Sequence, residues 1–435
     1  MDNKFCRAVE HLTKTSDLES VLSSLEAVED LFTEKWLNLD GDHRLQQLWH
    51  RRDRLATSEL YAFGKAIKRL EEHNRTWLES SANEIKKNTN TSHGLITEII
   101  VIGSLSTKEG VVAPCPKSYP IYDYTINFKS DFKYKVSIKN FDISIHEKAF
   151  KNRCGIIRKT FKNHLRSTNR SGTLQIISSE GVLTEETVEY ICSFIVFNMK
   201  EYGVYPLEKY RIALNFQEIS WFENERLVYP SDTVMILAKQ HHNEQRNIES
   251  KITSANRSML KDHSDRTSIK KLIIRLGETT DIKRVKSYIE GLAEDYENCG
   301  FDICLVLQPV VASDSESTQI VNTFHYVMKR YSLSPDNLPE KLGNMGLFTM
   351  ELGVGSLSTQ EVPLVLMDGD TPKDIELSDY YVYQQGDIYQ SMKQDKNGYY
   401  SELEQPIPGV TVHAVYKNVV IKPVVFGSEN KLMIV

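Results

Sequence analysis

The chain lacks most of the signatures that assign a chemistry at sight. Its six cysteines, at positions 6, 115, 154, 192, 299 and 304, form no CxxC pair and none of the spacings of a zinc site. Reduced thiols in a cytoplasmic protein are therefore expected. No apolar run approaches the roughly 18 residues of a membrane-spanning helix, the richest being residues 95–105 and 191–197. The opening Met1-Asp-Asn-Lys-Phe-Cys6 has no apolar core of a secretory leader. HExxH, GxxxxGK[ST] and GxSxG are all missing, which removes the simplest metalloprotease, phosphate-loop and serine-hydrolase readings. An excess of positive charge is missing too. With a net charge of −6, any affinity for nucleic acid must come from a local patch.

What is present is an ordinary globular composition over 435 residues, enough for two or three domains. Residues 1–92 read as helical. Leu18, Val21, Leu22, Leu25, Val28 and Phe32 recur at three and four, with Asp17 placed to cap that helix. A second periodic stretch runs over 55–78, and residues 95–105 read as a short apolar helix carrying Glu98. Residues 93–311 alternate helix and strand periods and are expected to form a mixed α/β core. Residues 319–435 read as a mixed or β-rich C-terminal region.

The most informative stretch is Tyr122-Asp-Tyr-Thr-Ile-Asn-Phe128 followed by Tyr134-Lys-Val-Ser-Ile-Lys-Asn140. Both alternate apolar and polar with the period of a half-buried strand, and the five residues 129–133 suit a hairpin. Pairing Phe128 with Tyr134 places Ile126 against Val136 and Tyr124 against Ile138. On the other face it sets Asp123 across from Lys139 and Thr125 across from Ser137. Downstream, Phe150, Cys154, Ile157, Phe161 and Leu165 mark the buried stripe of a helix. Lys151, Arg158, Lys159, Lys162 and Arg166 flank it, a local basic face suited to phosphates. His241 and Glu244 can share a helix face, but a polar helix end explains them as well.

A helix, a hairpin with Asp on one strand and Lys on the next, a second helix and a further strand make an order that resembles the PD-(D/E)xK, or restriction-endonuclease-like, nuclease superfamily. The resemblance covers about eighty residues, from Leu95 to Ser178. It implies a mixed sheet flanked by helices, with Glu98 as the helix acid, Asp123 as the strand aspartate and Lys139 as the lysine. It further implies Mg²⁺ or Mn²⁺ held by Asp123 and Glu98, and hydrolysis of phosphodiester bonds in DNA, in defence or mobile-element biology. Hard cations of this kind take carboxylate oxygens. The chain departs from the family at Ser137, where an acid is usual two residues before the lysine. Asp131 or Asp142 is the candidate substitute. A second reading is therefore a catalytically degenerate fold that binds nucleic acid or protein. A third assigns the N-terminal helices to pairing with a second copy or a protein partner.

Overall fold

The computed structural model describes residues 5–328 except 11, 14–15, 42, 88–91, 107–109, 116–120, 129–132, 142–143, 179–181, 219–233, 240, 242, 263–267, 278–279, 281 and 314–317, together with strands between 362 and 425. The chain is a mixed α/β protein. It opens with helices α1 (Leu18–Phe32), α2 (Glu34–Leu37), α3 (Arg44–His50), α4 (Arg54–Lys86) and α5 (Ser92–Leu105). Asp17 caps α1 by accepting the Ser20 amide at 2.7 Å, and Asp53 caps α4 through Ala56 at 3.1 Å. Two glycines set the helix spacing. A Cβ at Gly64 would sit 1.8 Å from the Ser24 carbonyl oxygen of α1, and one at Gly103 would sit 2.6 Å from Ala66. Only glycine permits these close approaches of backbone to backbone.

Then follow β1 (Gly110–Pro114), β2 (Tyr124–Phe128), β3 (Lys133–Asn140), α6 (Ile145–Thr168), β4 (Thr173–Ser178) and α7 (Glu185–Phe197). After these come β5 (Gly203–Leu207), β6 (Ile212–Gln217), β7 (Val234–Lys239), α8 (Asn243–Leu260), β8 (Ser268–Arg275), α9 (Ile282–Glu294), β9 (Ile303–Ser313) and β10 (Thr318–Met328). The first sheet has the order β1-β2-β3-β8-β9-β10. β1, β2 and β3 form an antiparallel meander, β3, β8 and β9 run parallel, and β10 closes the edge antiparallel. One face of this sheet, with Tyr124, Ile126, Val136, Ile138 and Ile273, shares a single apolar core with α1, α4 and α5. The opposite face, with Leu272, Ile274 and Val306, packs on α8 and α9 through Ile252, Met259, Val285 and Ile289. The N-terminal helices are thus one layer of a three-layer unit and share its core.

Two features differ from the expectation. The hairpin register is Tyr124 to Val136 and Ile126 to Tyr134, shifted by two residues from the pairing of Ile126 with Val136. A shift of two keeps every side chain on its expected face, so the apolar pattern is equally satisfied by both registers. The second difference concerns connectivity. The helix and strand after β3 do not continue the first sheet. α6 and α7 cover a second sheet in which β4 lies between β6 and β7, around a core of Phe150, Cys154, Phe161, Leu174, Ile191, Ile195 and Phe216. The strand that extends the first sheet beside β3 is β8, reached after the excursion and preceded by α8. The C-terminal strands join the second sheet through Tyr380–Tyr383, which pairs with β7. The expected divisions at 92 and 311 therefore do not coincide with the two sheets.

Candidate functional site

Asp123 lies just before β2, beside the C-terminal half of β3. Its backbone is tied into the sheet from both sides. Its N–H donates to the Val136 carbonyl at 2.9 Å, and its carbonyl accepts the Cys115 N–H at 2.9 Å. The carboxylate is held through one oxygen. Oδ2 accepts the Ile138 N–H at 2.5 Å and the Ser137 hydroxyl at 3.3 Å, and lies 4.0 Å from Lys139 Nζ. Oδ1 has no hydrogen-bond partner among the described residues, so one oxygen is anchored and the other left available.

Glu98, on α5, approaches the same point. It is part-buried and makes no hydrogen bond or ion pair among the described residues. Burial pushes its carboxyl up to about 7, the Asp123 carboxylate adds to that rise, and Lys139 opposes it. Tyr124 reports the same field. Its hydroxyl is fully buried without a hydrogen-bond partner among the described residues, and its ionisation is pushed well up by burial, then by Asp123 and Glu98. Glu98, Asp123, Ser137 and Lys139 thus converge on one end of the β2–β3 pair. The Tyr124 hydroxyl lies in the same field, but the sequence does not distinguish it, because strand packing alone explains a tyrosine there.

Ser137, expected to lend its hydroxyl to the site, lies against Asp123. Its side chain is buried, and its hydroxyl points at Asp123 and orients that carboxylate. Asp131 and Asp142 lie outside the described residues. Among the described residues, no group of three or more His, Cys, Asp or Glu side chains is arranged to hold a metal ion. Two carboxylates with unsatisfied oxygens beside a lysine do fit a cation that keeps most of its waters. Mg²⁺ is commonly bound by one or two carboxylates plus substrate phosphates.

The other candidates fall elsewhere. α6 buries the expected stripe of Phe150, Cys154, Ile157, Phe161 and Leu165 against the second sheet. Lys159 and Arg166 are exposed, Arg158 and Lys162 are half-buried, and Lys151 is paired with Glu147 at 2.9 Å. The His241 ring stacks on His146, with centroids 3.6 Å apart and planes at 9°, while Nδ1 accepts the Asn243 N–H. Glu244 accepts the Ser144 hydroxyl. This is the polar helix end, joining the starts of α6 and α8. In comparisons with known proteins, the chain matches no family model, no curated protein and no solved structure.

Glu98 carries a pH dependence whose sign follows from its shift. Its carboxyl near 7 lies above the ordinary carboxylate range. Between about pH 4.5 and 7 the folded chain therefore keeps a proton that the unfolded chain has released, and stability falls as pH rises through that window. Glu98→Gln removes the penalty. The variant is expected to be more stable than the wild type at pH 8, by about 1–2 kcal/mol after discounting for partial exposure. Below pH 4 it should have no advantage. Urea denaturation of both proteins at the two pH values checks this, and an equal difference at both would remove Glu98 as the cause.

Proposed function

We propose that the chain is a Mg²⁺- or Mn²⁺-dependent nuclease with a restriction-endonuclease-like core, hydrolysing phosphodiester bonds in DNA. The observation that carries the reading is Lys139 of β3 lying 4.0 Å from the carboxylate of Asp123 at the start of β2, with Glu98 of α5 within the electrostatic reach of both. The order of helix, three-stranded meander, helix and parallel strand, formed by α5, β1–β3, α8 and β8, supports it. In this reading the Asp123 and Glu98 carboxylates would hold the cation. Lys139 donates to a phosphate oxygen or to the attacking water. The Ser137 hydroxyl and the Ile138 N–H keep Asp123 in place, so that no rearrangement accompanies the reaction. A bound divalent cation supplies Lewis-acid polarisation of the phosphate and a water of lowered pKa. The exposed Lys159 and Arg166 of α6, with Arg158, Lys162 and Lys151, offer further sequence-blind contacts to phosphates.

One observation favours a second reading. The position where the family usually has an acid is a serine spent on Asp123, and the described residues hold only two carboxylates at the site. A degenerate site of this kind would bind nucleic acid or a protein without cutting. Titration calorimetry with Mn²⁺ separates the two. The nuclease reading expects one ion bound per chain, with binding lost in Asp123→Asn. Absence of binding up to millimolar Mn²⁺ overturns it in favour of the degenerate fold.

A further inference from the structure

Away from the carboxylate site, a groove of about 510 Å³ lies between α8 and Tyr288 of α9. Three of its lining residues, Arg246, Arg257 and Lys261, are cations with exposed side chains and no ion pair among the described residues. Ser250 and Ser254, one helical turn apart, present exposed hydroxyls along the same wall. The one carboxylate in the lining, Glu249, is engaged by the Gln245 side-chain amide at 2.9 Å. Tyr288 is fixed as the opposite wall, its hydroxyl 2.5 Å from that of Thr253. The chain as a whole carries a charge of −6, so three cations against one occupied carboxylate make a local inversion of sign.

We propose that this groove binds a single strand of nucleic acid along its phosphate backbone. The inference deepens the nucleic-acid reading above, on which it rests for the class of partner. The groove supplies what sequence-tolerant strand binding needs, a positive channel with hydroxyl donors and an aromatic wall. From Arg246 to Arg257 the helix rises about 16 Å. A strand stacked at about 3.4 Å per nucleotide carries roughly five phosphates over that length. The groove runs along α8, with Tyr288 of α9 as its one aromatic wall. α8 is the helix that covers the Asp123 and Ser137 face of the first sheet. Its C-terminal end is tied to β3 by the Lys135–Asp262 ion pair at 2.8 Å, and Lys251 lies over the Phe141 ring at its other half. A strand held there lies on the layer that packs against the carboxylate site.

The test uses the full chain in EDTA, which suppresses any hydrolysis, and fluorescence anisotropy with a labelled 20-nucleotide oligo(dT) and a 20-base-pair duplex. The wild type is expected to prefer the single strand. The triple variant Arg246→Glu, Arg257→Glu, Lys261→Glu should lose at least about tenfold in affinity for it. The slope of log affinity against log salt should shrink by about two, the loss expected for three phosphate contacts to a single strand. If that variant fails to fold, as judged by circular dichroism, the neutral triple Arg246→Gln, Arg257→Gln, Lys261→Gln takes its place with the same expected loss of slope. Wild-type affinity in the triple variant, no strand binding by the wild type, equal loss of duplex and strand, or displacement by polyglutamate as readily as by oligo(dT) each overturns the proposal. Strand binding that depends on the three cations, in a chain that never cleaves with Mn²⁺, supports the groove and counts only against the hydrolytic reading.

Discussion

Asp123→Ala is expected, on the proposed nuclease reading, to lower cleavage of DNA in the presence of Mg²⁺ or Mn²⁺ by about a hundred- to a thousandfold, the scale of removing a preorganised electrostatic contact. Its Oδ2 is already occupied by Ile138, Ser137 and the neighbouring Lys139, so that Oδ1 is the oxygen that would take a cation. No other described carboxylate but Glu98 shares that field. Lys139→Ala should fall by a similar factor, because the charge at the phosphate or water is lost while the Asp123 hydrogen bonds to β3 survive. Ser137→Ala should cost less, about ten- to a hundredfold, since it removes a group that orients the ligand and leaves the ligand itself. Ser137→Glu is the sharper probe. It puts the acid usual in the PD-(D/E)xK superfamily at a buried position beside Asp123 and, on the nuclease reading, should tighten Mn²⁺ binding. Cleavage assays on DNA and RNA with both metals check the series. A wild type that cuts neither substrate, together with a Ser137→Glu variant that gains neither metal affinity nor activity, removes the nuclease reading and leaves the hairpin as scaffold.

The largest expected effect on stability lies at the opposite end of β3. Lys135 and Asp262 form an ion pair of 2.8 Å with side chains only 8% and 3% exposed. The Lys135 ammonium also lies 5.7 Å from the centre of the Tyr122 ring. Asp262→Ala removes the buried carboxylate that this ammonium is paired with and should cost about 3–5 kcal/mol. Lys135→Met combined with Asp262→Leu removes both charges and should recover most of the loss, because a buried pair repays little more than its own desolvation. Denaturant midpoints of the three proteins measure this. A double variant as unstable as Asp262→Ala would show that the cost comes from packing around α8. The pair joins residues 127 apart in the chain, so neither partner can be assigned from local spacing.

Local periodicity carries far into this structure. The apolar stripe of α1, its Asp17 cap, the buried face of α6 and the alternation of β2 and β3 all follow from side-chain spacing, which depends only on neighbours in the chain. The same alternation is enough to put Asp123, Ser137 and Lys139 on one face. It cannot select between registers two residues apart, because both bury the same side chains. The structure pairs Tyr124 with Val136, which brings Ser137 to Asp123 and makes the serine an orienting group. Chain order misleads after β3. α6 and β4 follow at once in sequence, yet the parallel neighbour of β3 is β8, which pairs Leu272 with Ser137. An excursion with its own apolar core satisfies local pattern as well as a continuous sheet does, so nothing in the spacing betrays it.

The sequence by itself determined which residues face inward along each helix and strand, and which residue types, Glu98, Asp123 and Lys139, were candidates for one site. Only the tertiary structure decided that Glu98 on α5 feels the charges of Asp123 and Lys139, that the Ser137 hydroxyl donates to Asp123, that Lys135 pairs with Asp262 and that α8 lines a cationic groove facing Tyr288. The division has a physical reason. Periodicity and capping are set within a few residues of chain, whereas burial, Coulomb coupling and groove shape arise where distant segments pack.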